Sequence, residues 1–285
     1  MSSIAIITDT DASLPNEVAR EHGIVQVPIN IHFGAQTYQT GVDIDDRALF
    51  ERVDRDRALP TTSAPTPGQF AAAYRAAAER GCEAIVCFCV SSAISATYTA
   101  AEHAKALVPE CDVTVVDSCS ISMGQGYMAL EAVKAAGAGA GVDEIIARAE
   151  AVRERTYLYA ALDTLKYLAM SGRVGHLAAG MASLLAIKPV LTLRDGKLEM
   201  LEKVRTLRKA WHRVIDLTVE SLDGRPAEQL AILHVNAVDA AHDFAAHLCE
   251  VIACAQPPMF ADFSAGLSVH TGPGMVGVVA VAAGG

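Results

Sequence analysis

Four short runs rich in β-branched residues, at 4–7, 24–31, 84–90 and 113–116, alternate with helical stretches through the first half of the chain. Helices are expected near 16–22, over 67–80 and 97–107, and after Gly126. Strands that alternate with helices in this way build a mainly parallel sheet. Glycine and alanine at 135–141 followed by Val142-Asp143-Glu144 mark one helix end and the next helix start. The second half lacks that regular alternation. Its expected elements are helices at 163–170 and 180–186, a hairpin over 190–200, a helix over 209–222, a strand at 230–235, a helix to about 253 and a last strand at 277–283. The hairpin is signalled by Asp195-Gly196 between two alternating runs, since both turn residues must take positive φ. The expected fold class is therefore α/β, with a mainly parallel α/β domain over 1–155 and an α+β domain over 156–285.

With 285 residues, 52% of them hydrophobic and 20% charged, the chain has enough apolar material for two cores and no long polar tract. A formal net charge of −10 excludes a surface built to neutralise phosphates, so nucleic acid is not an expected partner. The start, Met1-Ser-Ser-Ile-Ala-Ile-Ile-Thr-Asp9, has no basic region and meets a carboxylate before an apolar stretch can develop. It does not read as a signal peptide, and the expected location is cytoplasmic. Apolar runs at 85–90 and 276–283 are too short to cross a bilayer, so membrane association is expected to be peripheral or absent. Seven cysteines, at 82, 87, 89, 111, 119, 249 and 254, contain no Cys-x-x-Cys pair, and the expectation is small core residues rather than disulfides or a zinc site.

Three strand ends in the first half run into oxygen-bearing residues: Thr8-Asp9-Thr10-Asp11, Ser91-Ser92-Ala93-Ile94-Ser95 and Asp117-Ser118. In an open parallel sheet these carboxyl ends share one edge, where ligands bind. Ser95 also precedes the helix near Thr97, whose unpaired N–H groups and dipole favour an anion, although a plain helix cap explains Ser95 equally well. A second hydroxyl set lies in Leu59-Pro60-Thr61-Thr62-Ser63-Ala64-Pro65, where prolines restrict the backbone on both sides. His270-Thr-Gly272-Pro-Gly274-Met-Val-Gly277 matches Gly-x-Gly-x-x-Gly but opens a strand, which is the wrong context for a nucleotide site. Its glycines are expected to serve a tight turn and a close backbone approach. Gly124-Gln-Gly126-Tyr-Met-Ala129 stands too far from its strand to bind a dinucleotide. Asp9 and Asp11 lack further ligands for a metal, and no hydrolase elbow or zinc-protease motif is present.

In order along the chain, these residues resemble the DegV family of bacterial fatty-acid-binding proteins. The shared pieces are Thr8-Asp9 with Ser13-Leu14-Pro15, Pro60-Thr61-Thr62-Ser63-x-Pro65, Ser91-Ser92-x-Ile-Ser95-x-Thr97-Tyr98 and Asp117-Ser118. Leu165-Lys166-x-Leu168, Ser171-Gly172-Arg173, Lys188-Pro189, Lys203-Val204-Arg205-Thr206 and His270-x-Gly272-Pro273-Gly274 continue the series. The resemblance implies a two-domain fold with a long-chain fatty acid between the domains, its tail in an apolar tunnel. It implies Thr62 and Ser95 as direct carboxylate ligands, with Thr61, Ser63 and His270 lining the same end. It implies a carrier without catalytic residues, metal or cofactor, and a fatty acid kinase partner that phosphorylates the bound acid, faced by Arg173 and Arg205. Ala64 and Ala96 depart from the glutamine and glycine common there, without removing a ligand oxygen. The alternatives are a serine-dependent acyl hydrolase or transferase using Ser95 and His270, and a carrier of another small organic anion. Acyl chain length, unsaturation, oligomeric state and pathway are not encoded in any local motif.

Overall fold

A computed structural model describes residues 4–173 and 187–284 of the protein. The helix expected at 180–186 lies outside the described residues. Chain contacts define two compact units, Met1–Asp43 with Thr62–Glu154, and Ile44–Thr61 with Arg155–Gly285. The segment Ile44–Thr61 thus groups with the C-terminal half although it lies inside the 1–155 span read from the sequence.

The first unit is built on strands β1 (Ile4–Asp9), β2 (Val25–Val27), β6 (Ala84–Cys89) and β7 (Val113–Asp117). They pair in the order β2-β1-β6-β7, and every pair is parallel. A parallel sheet is covered on both faces, so its strands read as unbroken apolar runs, and five of the six β6 residues are buried. Ile7, Phe70, Tyr74, Ile85, Cys87 and Val113 share one core with α3 (Pro67–Glu79) and α4 (Thr97–Lys105). Helix α3 opens with a reciprocal cap between Thr66 and Gln69 and with Pro67 in the first turn, where its missing N–H costs nothing. Helices α1 (Asn16–Glu21), α5 (Met123–Gly137) and α6 (Val142–Glu154) complete the layers. Gly126 of α5 lets the helix approach the chain closely, because a Cβ there would lie 3.1 Å from the Ala12 carbonyl oxygen. That packing accounts for the glycine in Gly124-Gln-Gly126.

The run at 24–31, expected as one strand, is two. Pro28 has no N–H to give a ladder, so β2 stops at Val27 and the chain enters a separate sheet at β3 (Asn30–Phe33). That sheet has the order β4-β3-β5, with β4 (Gln36–Gln39) antiparallel to β3 and β5 at Thr61–Ser63.

The second unit has a six-stranded sheet of β8 (Thr156–Ala161), β9 (Lys188–Arg194), β10 (Lys197–Val204), β11 (Ala227–His234), β12 (Met259–Asp262) and β13 (Val276–Ala282). Its order is β10-β9-β8-β13-β11-β12, antiparallel except for β11 with β12. The expected hairpin is β9-β10, turning on Asp195 at φ 50° and Gly196 at φ 71°. Helix α8 (Leu207–Leu222) buries Ala210, Val214, Ile215, Thr218 and Leu222, a stripe at helical spacing, against the sheet. Helix α9 (Val238–Val251) adds Phe244 and Leu248 to the same core. Helices α2 (Asp46–Asp56), α7 (Lys166–Met170) and α10 (Ala265–Thr271) also belong to this unit. The glycine series after His270 is structural. A Cβ on Gly272 would overlap the Tyr167 ring, and one on Gly277 would meet the Tyr159 carbonyl oxygen at 2.9 Å.

The cysteines depart from the expectation of core residues. All seven are free, but only Cys87 and Cys89 are buried, and Cys119 and Cys249 are exposed.

Candidate functional site

In the first unit, the parallel pairing of β1, β6 and β7 brings Thr8-Asp9, Val90–Ser95 and Asp117-Ser118 to one sheet edge. Asp9 is fully buried and accepts the Val90 N–H at 2.8 Å, the Asp11 N–H at 2.9 Å and Gln125 Nε2 at 3.1 Å. Burial pushes its carboxyl up to about 6, and those hydrogen bonds oppose the rise. Gln125 also donates to Thr8 Oγ1 at 2.7 Å and to the Phe88 carbonyl at 3.2 Å, so one side chain ties two strand ends. In sequence Asp9 stood out as a strand-end acid without further ligands for a metal. It caps, and it also reaches across to β6.

Ser95 is half-buried. Its N–H donates to the Ser91 carbonyl at 3.1 Å, its Oγ lies 2.8 Å from Thr97 Oγ1, and it accepts the Thr97 N–H at 3.3 Å. The helix-capping reading of Ser95 is thereby realised in part: the hydroxyl serves the first turn of α4.

Strand β5 divides the three consecutive hydroxyl residues. Side chains alternate along a strand, so Thr62, half-buried, stands on the face opposite exposed Thr61 and Ser63. Ser63 Oγ lies 2.8 Å from His32 Nε2, and His32 Nδ1 lies 2.9 Å from Thr37 Oγ1. His32 was not singled out in the sequence, because its partner stands 31 residues away and no local motif joins them. Asn30 donates to the Ala64 carbonyl at 3.1 Å and fixes the loop that follows Ser63.

Thr62, Ser63 and Ser95 belong to the first unit, and Thr61, Arg173, Arg205 and His270 to the second. His270 is half-buried on α10, and burial, with the positive charge of Arg173 second, pushes its imidazole down to about 4. It is therefore neutral at physiological pH. Arg173 is exposed and donates to the Ser171 carbonyl at 3.0 Å, and Arg205 is exposed between β10 and α8. Lys188 of the Lys-Pro pair reaches the Asp163 carbonyl at 2.8 Å. Among the described residues, no three His, Cys, Asp or Glu side chains gather to hold a metal ion, and no helix is long and apolar enough to cross a membrane.

The family model described as uncharacterised protein, DegV family, matches residues 3–283. The chain belongs to the DegV family. A DegV domain-containing protein of Streptomyces coelicolor is 38% identical over 276 residues, covering 97% of both chains. Among solved structures, a fatty-acid-binding DegV family protein from Thermus thermophilus aligns with a TM-score of 0.91 at 29% identity, covering 99% of this chain and all of that one. DegV of Bacillus subtilis, a fatty acid binding protein, aligns at a TM-score of 0.89 and 28% identity with the same coverage. The two-unit α/β architecture is thus that of DegV proteins, and the family resemblance seen in the motifs extends over essentially the whole chain.

Proposed function

We propose that this DegV protein binds a long-chain fatty acid, receiving its carboxylate on Thr62 and Ser95 and burying its hydrocarbon tail. Thr61, Ser63 and His270 are the further polar residues of the head-group end. The observation that carries this reading is the end-to-end structural likeness to the Thermus thermophilus DegV protein, which binds fatty acid. Physical chemistry supports it. A carboxylate taken out of water must be hydrogen-bonded, and hydroxyls together with neutral His270 can supply donors. Each buried CH₂ of the tail contributes about 0.8 kcal/mol, so a long chain supplies most of the affinity.

The protein acts in this reading as a cytoplasmic carrier, not as an enzyme, needing no metal or cofactor. It presents the bound acid to a fatty acid kinase, which phosphorylates the carboxylate to an acyl phosphate, and Arg173 and Arg205 face that partner. Titration of hexadecanoate into ligand-free protein by calorimetry tests the site. Thr62→Ala and Ser95→Ala are each expected to weaken binding about tenfold, the effect of one lost hydrogen bond to a charged group. Wild-type affinity in both variants would remove these residues from the site.

A further inference from the structure

The loop after β6, which carries Ser95, is held from both sides. The sheet order sets β6 between β1 and β7, and each flanking strand ends in an aspartate, Asp9 or Asp117. Three successive loop amides are tied to the end of β1, to the turn that follows β7 and to the end of β7. The Val90 N–H donates to Asp9 Oδ2 at 2.8 Å, the Ser91 N–H to the Ser120 carbonyl at 2.9 Å, and the Ser92 N–H to Asp117 Oδ1 at 3.1 Å.

The two aspartates are fixed in the same way. Each also accepts the N–H two residues along its own turn, Asp11 for Asp9 and Cys119 for Asp117, both at 2.9 Å. This local bond orients the carboxylate and leaves it acceptor capacity for the middle strand's loop. Downstream, the Ile94 and Ser95 N–H groups both donate to the Ser91 carbonyl, at 3.2 and 3.1 Å. The residue from which the Ser95 turn springs is therefore the middle one of the three pinned amides.

We propose that Asp9 and Asp117 are the positioning residues of the head-group loop: they set the backbone of residues 90–95 that presents Ser95, without touching the ligand. The proposal rests on the reading of Ser95 as a carboxylate ligand. It also makes a distinction that simple loss of negative charge does not. Asp117 receives both backbone N–H groups on one oxygen, Oδ1, so asparagine can keep those two bonds. Asp9 uses both oxygens against three N–H donors, so an asparagine there must turn its own NH₂ toward a donor.

The test uses the full chain in four forms: wild type, Asp117→Asn, Asp117→Ala and Asp9→Asn. Hexadecanoate affinity is measured by calorimetry, and amide exchange of residues 90–95 is measured without ligand. Asp117→Asn is expected within about twofold of wild type, whereas Asp117→Ala binds about tenfold more weakly and exchanges faster at Ser92 and Ser95. Asp9→Asn is expected to lose at least as much. Because Asp9 is fully buried, the Asp117 pair decides the matter if that variant does not fold. Equal affinity for Asp117→Ala and wild type would overturn the proposal, as would equal losses in Asp117→Asn and Asp117→Ala. A wild type that binds no hexadecanoate would instead overturn the functional reading, and the exchange rates would still decide whether the aspartates pin the loop.

Discussion

Asp46 stands at the first helical position of α2, where a helix N-terminus favours negative charge, yet it is only 6% exposed. Burial dominates and pushes its carboxyl up to about 8, and the charges of Asp262 and Asp45 add to the rise. The folded-state value lies above the ordinary 3.8, so the folded protein holds a proton that the unfolded chain releases. Stability from this group is therefore complete below about pH 4 and falls as pH rises toward 8. Asp46→Asn is expected to match the wild type near pH 4 and to exceed it at pH 8 by ~2 kcal/mol or more, read from urea denaturation at the two pH values. A constant difference across that range would exclude the effect. At this scale the sequence showed which residues carry hydroxyls but not how they face. Thr61, Thr62 and Ser63 look like one set in sequence, while β5 sends Thr62 to the opposite face and His32 engages Ser63. Asp9 and Asp117 were visible as strand-end acids, but their reach to β6 depends on pairing across 81 and 25 residues.

At the scale of elements, glycine positions separate packing from flexibility. Gly277 on β13 lies where a Cβ would meet the Tyr159 carbonyl oxygen at 2.9 Å and Ala160 Cβ at 3.0 Å, and these belong to the paired strand β8. Gly277→Ala is expected to destabilise the protein by about 1–3 kcal/mol, because neither neighbour can move without disturbing the ladder. Gly137, at the end of α5, has nothing within 4 Å of its Cβ position. Gly137→Ala is expected to stabilise by about 0.4–1 kcal/mol through the unfolded state. The two denaturation midpoints should move in opposite directions, and a shared direction would contradict this reading. Strand-helix alternation made the parallel sheet legible, and Asp195-Gly196 located the β9-β10 hairpin. The division at Pro28 was missed because apolar residues continue across it, although the absent N–H was there to be read. Strand β8 was also missed: Thr156-Tyr-Leu-Tyr-Ala-Ala follows a long helix without a turn signal.

At the scale of the whole molecule, Arg173 and Arg205 are exposed cations on a chain whose formal net charge is −10. If Arg173 and Arg205 meet a kinase rather than the ligand, their loss should separate two measurements. Arg173→Ala and Arg205→Ala are expected to keep hexadecanoate affinity within about twofold while lowering acyl phosphate formation about tenfold in the presence of a fatty acid kinase and ATP. A parallel loss of affinity would move these residues into the ligand site. The assignment of Ile44–Thr61 to the C-terminal unit was not legible in sequence, because it arises from contacts with segments more than a hundred residues away. Such pairings leave no local pattern, whereas the family motifs, read in order, do. The most direct measurement is native mass spectrometry of the protein purified from bacterial cells under gentle conditions. The predicted spectrum contains protein carrying one intact long-chain fatty acid, which is released on denaturation and depleted in Thr62→Ala and Ser95→Ala. A ligand-free spectrum that remains unchanged after hexadecanoate is added would contradict the proposed function.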